Sequence, residues 1–113
     1  MDKETLESLR QQLLARDQEL RDLDARSSDS RAPVELDQSR VGRLSRMDAL
    51  QGQAMAQATH NRRQGEQQRI KAALARMASD DYGWCLSCGE EISPARLQAD
   101  AAAPQCVHCA GRR

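Results

Sequence analysis

Four cysteines set the strongest constraint on this chain: they stand as Cys85-x-x-Cys88 and Cys106-x-x-Cys109, with 17 residues between the pairs. Two thiolates three positions apart can grip one ion from a single turn. A second pair, returned by a short hairpin or helix, completes a tetrahedron of sulfur around Zn2+. The pattern therefore predicts one structural zinc ion held by Cys85, Cys88, Cys106 and Cys109. Four sulfur ligands leave no open coordination position, which argues against metal-assisted hydrolysis.

The beginning of the chain, Met-Asp-Lys-Glu-Thr-Leu-Glu, lacks the basic and then apolar run of a secretory signal. No apolar stretch approaches the roughly 20 residues that span a bilayer. The reading is a soluble cytoplasmic protein without a membrane partner, and a reducing compartment favours metal over a pair of disulfides. A thioredoxin-like redox site has less support, because no strand-helix-strand pattern surrounds either cysteine pair.

Little else in the composition could build a large core. The 113 residues include no Phe, one Tyr and one Trp, and 30% are charged. The apolar remainder is mostly Leu, Ala and Met, which suits long helices better than sheets. With 17 basic and 17 acidic residues, no net field advertises a nucleic-acid partner.

Leu6, Leu9, Leu13, Leu20 and Leu23 mark a heptad seam from Glu4 to about Arg26 that lacks one member near Arg16 and Asp17. The polar run from Arg26 to Ala32, followed by Pro33, then predicts a reversal within residues 27–41. From Val34 to about Ala78 the pattern predicts one long helix or two collinear ones, with Gly42, Gly52 and Gly65 as candidate bends. Ile70, Leu74 and Met77 carry a seam near its end, and the longer second helix would either leave part of itself unpaired by the first or require a longer irregular tip around residues 27–41. His60 stands alone on a polar stretch.

Ser79-Asp80-Asp81 ends that helix. Tyr82 and Trp84 are then expected to pack over the metal knot, and Gly89 to adopt a positive φ. Ser93-Pro94 reads as an N-cap and first-turn proline opening a short helix to about Gln98. Pro104 turns the chain back to Cys106. The fold class is mostly α, an antiparallel helical hairpin or coiled coil over residues 1–79 followed by a small four-cysteine zinc finger with a short helix over residues 80–113.

The framing residues are more specific than the cysteines. Asp81-Tyr82-Gly83-Trp84-Cys85-x-x-Cys88-Gly89-x-x-Ile92, then Arg96-Leu97-x-Ala99, then Cys106-x-x-Cys109 resembles the DksA/TraR family of bacterial transcription regulators. The resemblance covers most of the last third of the chain. It implies a monomeric factor that binds RNA polymerase and does not read DNA. In the family a coiled coil enters the polymerase's secondary channel, and acidic residues at its tip alter the lifetime of initiation complexes.

Longer members carry an Asp-x-x-Asp-x-Ala string at the tip, and this chain has no such string. The candidate active-centre contacts are Asp37, beside the expected turn, and Asp48, followed by Ala49. In some longer members basic residues of the second helix help hold guanosine tetraphosphate at the polymerase rim. An ungapped count from Cys85 places their counterparts near Arg62 and Arg69. A solvated helix face is the simpler and commoner reading of all four residues.

Two other readings come from different classes. A finger that binds nucleic acid directly would need a basic face, yet residues 80–100 hold five acids and one arginine. A structural coiled-coil homodimer would use the first helix as its seam. An enzyme lacks support: neither His60 nor His108 has a nucleophile or base partner in sequence, and no phosphate loop or triad order appears. His108 is expected either to support the sulfur ligands from behind or to be exposed, because four cysteines already complete the metal's shell.

Overall fold

The computed structural model describes residues 1–27 and 43–111, with side chains from residue 47 onward in the second stretch. Four helices occur among them: α1 (Lys3–Arg26), α2 (Arg43–Ala78), α3 (Pro94–Ala99) and α4 (Val107–Ala110). The expected turn lies almost wholly outside the described residues.

α1 begins where Asp2 Oδ1 accepts the Thr5 N–H at 2.7 Å, satisfying one orphan donor of the first turn. It ends where the Ser27 N–H reaches the Leu23 carbonyl at 3.1 Å. Leu9, Leu13 and Leu20 are buried and Leu6 packs beside them, so the heptad reading holds. The missing seam member has an explanation that periodicity could not supply. Arg16 bridges to α2 with two of its three guanidinium nitrogens, Nε to Glu66 Oε1 and Nη2 to Glu66 Oε2, each at 3.0 Å. A bidentate ion pair thus replaces an apolar layer.

A second polar layer closes the described end of α1. His60 Nδ1 lies 3.0 Å from Asp24 Oδ2. Arg63 donates to Asp24 Oδ1 at 3.2 Å and to Ser27 Oγ at 2.9 Å. His60 is therefore not alone, as the sequence implied: Asp24 is 36 residues away along the chain and invisible to local patterning. With Arg16 meeting Glu66 and Asp24 meeting His60, the two helices run antiparallel.

α2 is one continuous 36-residue helix, about 54 Å long at the usual rise, against about 36 Å for the 24 residues of α1. Neither Gly52 nor Gly65, candidate bends or frays, interrupts it; Gly42 lies outside the described residues. A helical glycine costs about 1 kcal/mol relative to alanine, which the many good helix formers around each one absorb. Among the described residues α1 ends at Arg26, where Asp24 meets His60 and Arg63, so the stretch of α2 from Arg43 to Thr59 runs past the end of α1.

The C-terminal stop of α2 uses a Schellman arrangement, with the Asp81 N–H on the Arg76 carbonyl at 2.8 Å and the Asp80 N–H on the Met77 carbonyl at 3.4 Å. Asp80 takes the left-handed conformation, φ 60°, that glycine usually fills. A short acidic side chain tolerates it better than most.

The chain then doubles back in a minimal hairpin, an isolated antiparallel bridge between Trp84 and Glu91. α3 follows, capped by Ser93 Oγ, which accepts the Arg96 N–H at 3.3 Å. Leu97, fully buried, and the run Ala101–Ala103 press this segment onto the hairpin's base, where Leu9, Leu13 and Ile70 belong to the same buried cluster. Small alanines permit the close approach. Tyr82 joins this core, but Trp84 is 48% exposed, so only one of the two rings packs as the sequence reading expected.

Ideal Cβ atoms at Gly52 and Gly65 meet nothing within 4 Å. Gly65→Ala, within the paired part of α2, should raise unfolding free energy by about 1 kcal/mol in urea denaturation. Gly52→Ala, beyond the reach of α1, should raise the circular dichroism helix signal and leave the urea midpoint nearly unchanged.

Candidate metal centre

Each cysteine pair is presented by a tight backbone loop. In the first, the Gly89 N–H bonds the Cys85 carbonyl at 2.9 Å, and Gly89 takes φ 76°, which lets the chain turn under the sulfurs. In the second, the Ala110 N–H bonds the Cys106 carbonyl at 2.9 Å, and the Cys109 N–H points at Cys106 Sγ at 3.4 Å.

The two loops are tied directly to one another. The Leu86 N–H bonds the Pro104 carbonyl at 2.9 Å, Gln105 Nε2 donates to Ser87 Oγ at 2.6 Å, and Arg96 Nε donates to the Gln105 carbonyl at 2.7 Å. Sequence reasoning missed these ties: Arg96 reads there only as a framing residue of the motif, and Ser87 and Gln105 carry no signature beyond their place in the loops.

The result is that the sulfurs of Cys85, Cys88, Cys106 and Cys109 all lie within 4.8 Å of one another. Zn–S bonds of about 2.3 Å in a tetrahedron require an edge of about 3.8 Å. The sulfurs of Cys88 and Cys106, at 3.9 Å, match it. The donor set and its spacing fit one Zn2+ ion. His108 is exposed, in keeping with a shell already completed by sulfur.

Without a cation such a cluster resists full ionisation. Hydrogen bonds from the Cys106 and Cys88 backbone N–H groups draw the Cys85 thiol down to about 6. Its hydrogen bond with Cys106, and then burial, push the Cys109 thiol up to about 12. One thiolate is comfortable at neutral pH and the fourth is not, so a divalent cation supplies the missing charge and binding releases protons.

Tyr82 roofs the joint between this centre and the hairpin. Its hydroxyl donates to the Ala101 carbonyl at 2.7 Å, and burial pushes the phenol up to about 12, with Arg76 opposing and Asp100 adding.

Residues 80–113 match the model of the prokaryotic dksA/traR C4-type zinc finger. The solved DnaK suppressor protein of Agrobacterium tumefaciens C58 is 37% identical, with 92% of this chain aligned to 89% of that one at a TM-score of 0.56. The chain belongs to the DksA/TraR family.

The DksA/TraR fold recurs in the transcription factor DksA2 of Pseudomonas aeruginosa, at a TM-score of 0.77 and 24% identity over 97% of this chain and 83% of that one. Similarity to curated relatives is more local. The RNA polymerase-binding transcription factor DksA of Haemophilus influenzae is 44% identical over 41 residues, 36% of this chain and 28% of that protein. Its Escherichia coli K12 counterpart is 39% identical over 41 residues, 27% of its length. The chain thus matches little more than a quarter of these relatives.

The remaining sequence candidates lie elsewhere than the metal centre. Asp48 is exposed on α2 beyond the reach of α1, and Asp37 falls outside the described residues. Arg62 is exposed and donates to Thr59 Oγ1 at 2.9 Å. Arg69 stands 3.9 Å from Asp100, both about half exposed. The structure therefore does not gather Asp48, Arg62 and Arg69 into one site.

Tyr82 is the only tyrosine, so alkaline absorbance titration reads it alone. In the zinc-loaded protein its midpoint should lie near 12. Chelation, or Cys85→Ser, should return it toward the ordinary value of about 10 as the finger loses order. A phenol raised in the folded state contributes stability that is complete below about 10 and disappears as pH rises through about 12. Alkaline unfolding should therefore set in across that window, and retention of the raised midpoint after chelation would show that the finger folds without metal.

Proposed function

We propose that this protein is a transcription regulator that binds RNA polymerase through its secondary channel and modulates initiation, with zinc in a structural role. The observation that carries the reading is the overhang of α2, from Arg43 to Thr59, on a chain whose relatives include proteins named RNA polymerase-binding transcription factors. A slender helical projection can enter a pore that a globular domain cannot. The finger, clamped across the opposite end by Leu97 and the Ala101–Ala103 run, gives the projection a rigid base and a surface for docking outside the channel.

In this reading Asp48, with Asp37, contacts the active centre. A carboxylate there acts through its charge on the metal ions and phosphates of the catalytic site. Arg62 and Arg69 face the polymerase rim, where guanidinium groups suit the phosphates of guanosine tetraphosphate. Asp100 beside Arg69 competes for the same positive charge. The protein acts as a monomer in the cytoplasm; among the described residues no helix is long and apolar enough to cross a membrane.

Pull-down of purified core RNA polymerase, with competition by a known secondary-channel occupant, tests the reading. The zinc-loaded protein should be retained by core enzyme and displaced by the competitor. Asp48→Ala should keep most binding and lose most of the effect on initiation-complex lifetime. If protein with one zinc per chain fails to bind core enzyme, the functional reading is wrong and the fold stands.

A further inference from the structure

A cavity of about 360 Å³ lies between the start of α1 and the hairpin that carries the first cysteine pair. We propose that it is a docking site for a single arginine side chain presented by a protein partner. No cysteine and no residue of the α2 overhang lines the cleft, and the proposal does not depend on what the overhang engages.

Three features of the cleft define the occupant. Leu9, Ile92, Leu97 and Pro94 line it with apolar surface, which suits the stem of a long side chain. The indole of Trp84 forms part of its wall and remains 48% exposed, although it is the only tryptophan of a chain that has no phenylalanine to spare. Asp2 and Glu91 bring two carboxylates to the same cleft, against the one cation in its lining, the Met1 ammonium beside Asp2, so the cleft keeps a net negative charge centred on Glu91. An anion is repelled there, and a neutral apolar side chain would leave the carboxylates unused.

The Trp84–Glu91 bridge makes the arrangement specific. Residues directly opposite in an antiparallel bridge put their side chains on the same face, with Cβ atoms about 5 Å apart. A planar cation stacked on the indole therefore sits beside the Glu91 carboxylate. Glu91 has no side-chain hydrogen bond or ion pair among the described residues, so its charge is available. Asp2 uses Oδ1 to cap α1, leaving its second oxygen to accept from a guanidinium. Arginine satisfies all three surfaces at once: a stem for the apolar lining, a flat face for the ring and a fork of donors for two carboxylates.

Gly83 keeps the cleft open. Its φ of 96° excludes ordinary side chains, and a Cβ there would meet the end of the Met1 side chain at 3.4 Å. The methionine is a flexible neighbour that an incoming stem can displace or pack against.

Trp84 reports on the site without a label. The full-length, zinc-loaded protein is titrated with a short capped peptide carrying one central arginine, and with versions carrying lysine or norleucine in its place. The arginine peptide should change Trp84 emission saturably and bind at least about tenfold more tightly than the norleucine peptide, with lysine between them. Glu91→Gln, at an exposed position, should weaken the arginine peptide about threefold to tenfold and leave the norleucine peptide unaffected. Unchanged zinc content confirms that this variant is folded. Equal binding of arginine and norleucine peptides would reduce the cleft to an unspecific apolar pocket and overturn the proposal. So would an absent or unsaturable response to the arginine peptide, or a Glu91→Gln variant that binds it as well as the parent.

Discussion

Four sulfurs gathered within 4.8 Å of one another are the arrangement on which this molecule depends. Bringing thiolates together is unfavourable until a cation joins them, and once it has, two backbone loops that share few apolar contacts are locked into one unit. The lock positions everything around it. It fixes the bridge that holds Trp84 beside Glu91, and it returns the chain so that Leu97 and the alanines after Asp100 meet the hairpin's base. A finger of this size has too little interior to hold such a shape by burial alone.

The hairpin is held by a different balance. Its seam is leucine at Leu9, Leu13 and Leu20, interrupted by the Arg16–Glu66 pair and closed by the Asp24, His60 and Arg63 cluster. A partly exposed pair such as Arg16–Glu66 contributes about 1 kcal/mol or less to stability, and the more buried Asp24, His60 and Arg63 cluster loses much of its attraction to desolvation, whereas a buried leucine contributes about 2 kcal/mol. The polar layers thus act mainly on register. A slip of α1 along α2 would leave each of these charges facing the wrong partner, whereas leucines would pack almost as well one turn away. Register in turn decides how much of α2 projects beyond α1, which is the dimension the proposed function uses.

Much of this was legible from residues alone, because the physics involved is local. Cysteine spacing reports a ligand set directly, since three positions is the reach of one turn. Leucines at heptad spacing report a buried face, and Ser93-Pro94 reports a helix start, because caps and seams are decided within a few residues. Gly52 and Gly65, candidate bends or frays, do not interrupt α2: a glycine penalty of about 1 kcal/mol is small beside the helix formed around it. His60 looked solitary because its partner lies 36 residues away.

The two aromatic residues show where that boundary falls. Tyr82 and Trp84 are two positions apart, equally apolar in outline and equally plausible as a roof for the metal. Tyr82 is buried with its hydroxyl on the Ala101 carbonyl, while Trp84 lines an open cleft with Glu91 and Asp2. By itself the sequence determined the zinc ligand pattern, the helical hairpin and the family, since each rests on spacing within one segment. Only the tertiary structure decided which ring enters the core, which charges cross the hairpin and how far α2 reaches past α1. Those outcomes depend on contacts between segments tens of residues apart, whose geometry exists only after the sulfurs and the leucine seam have brought them together.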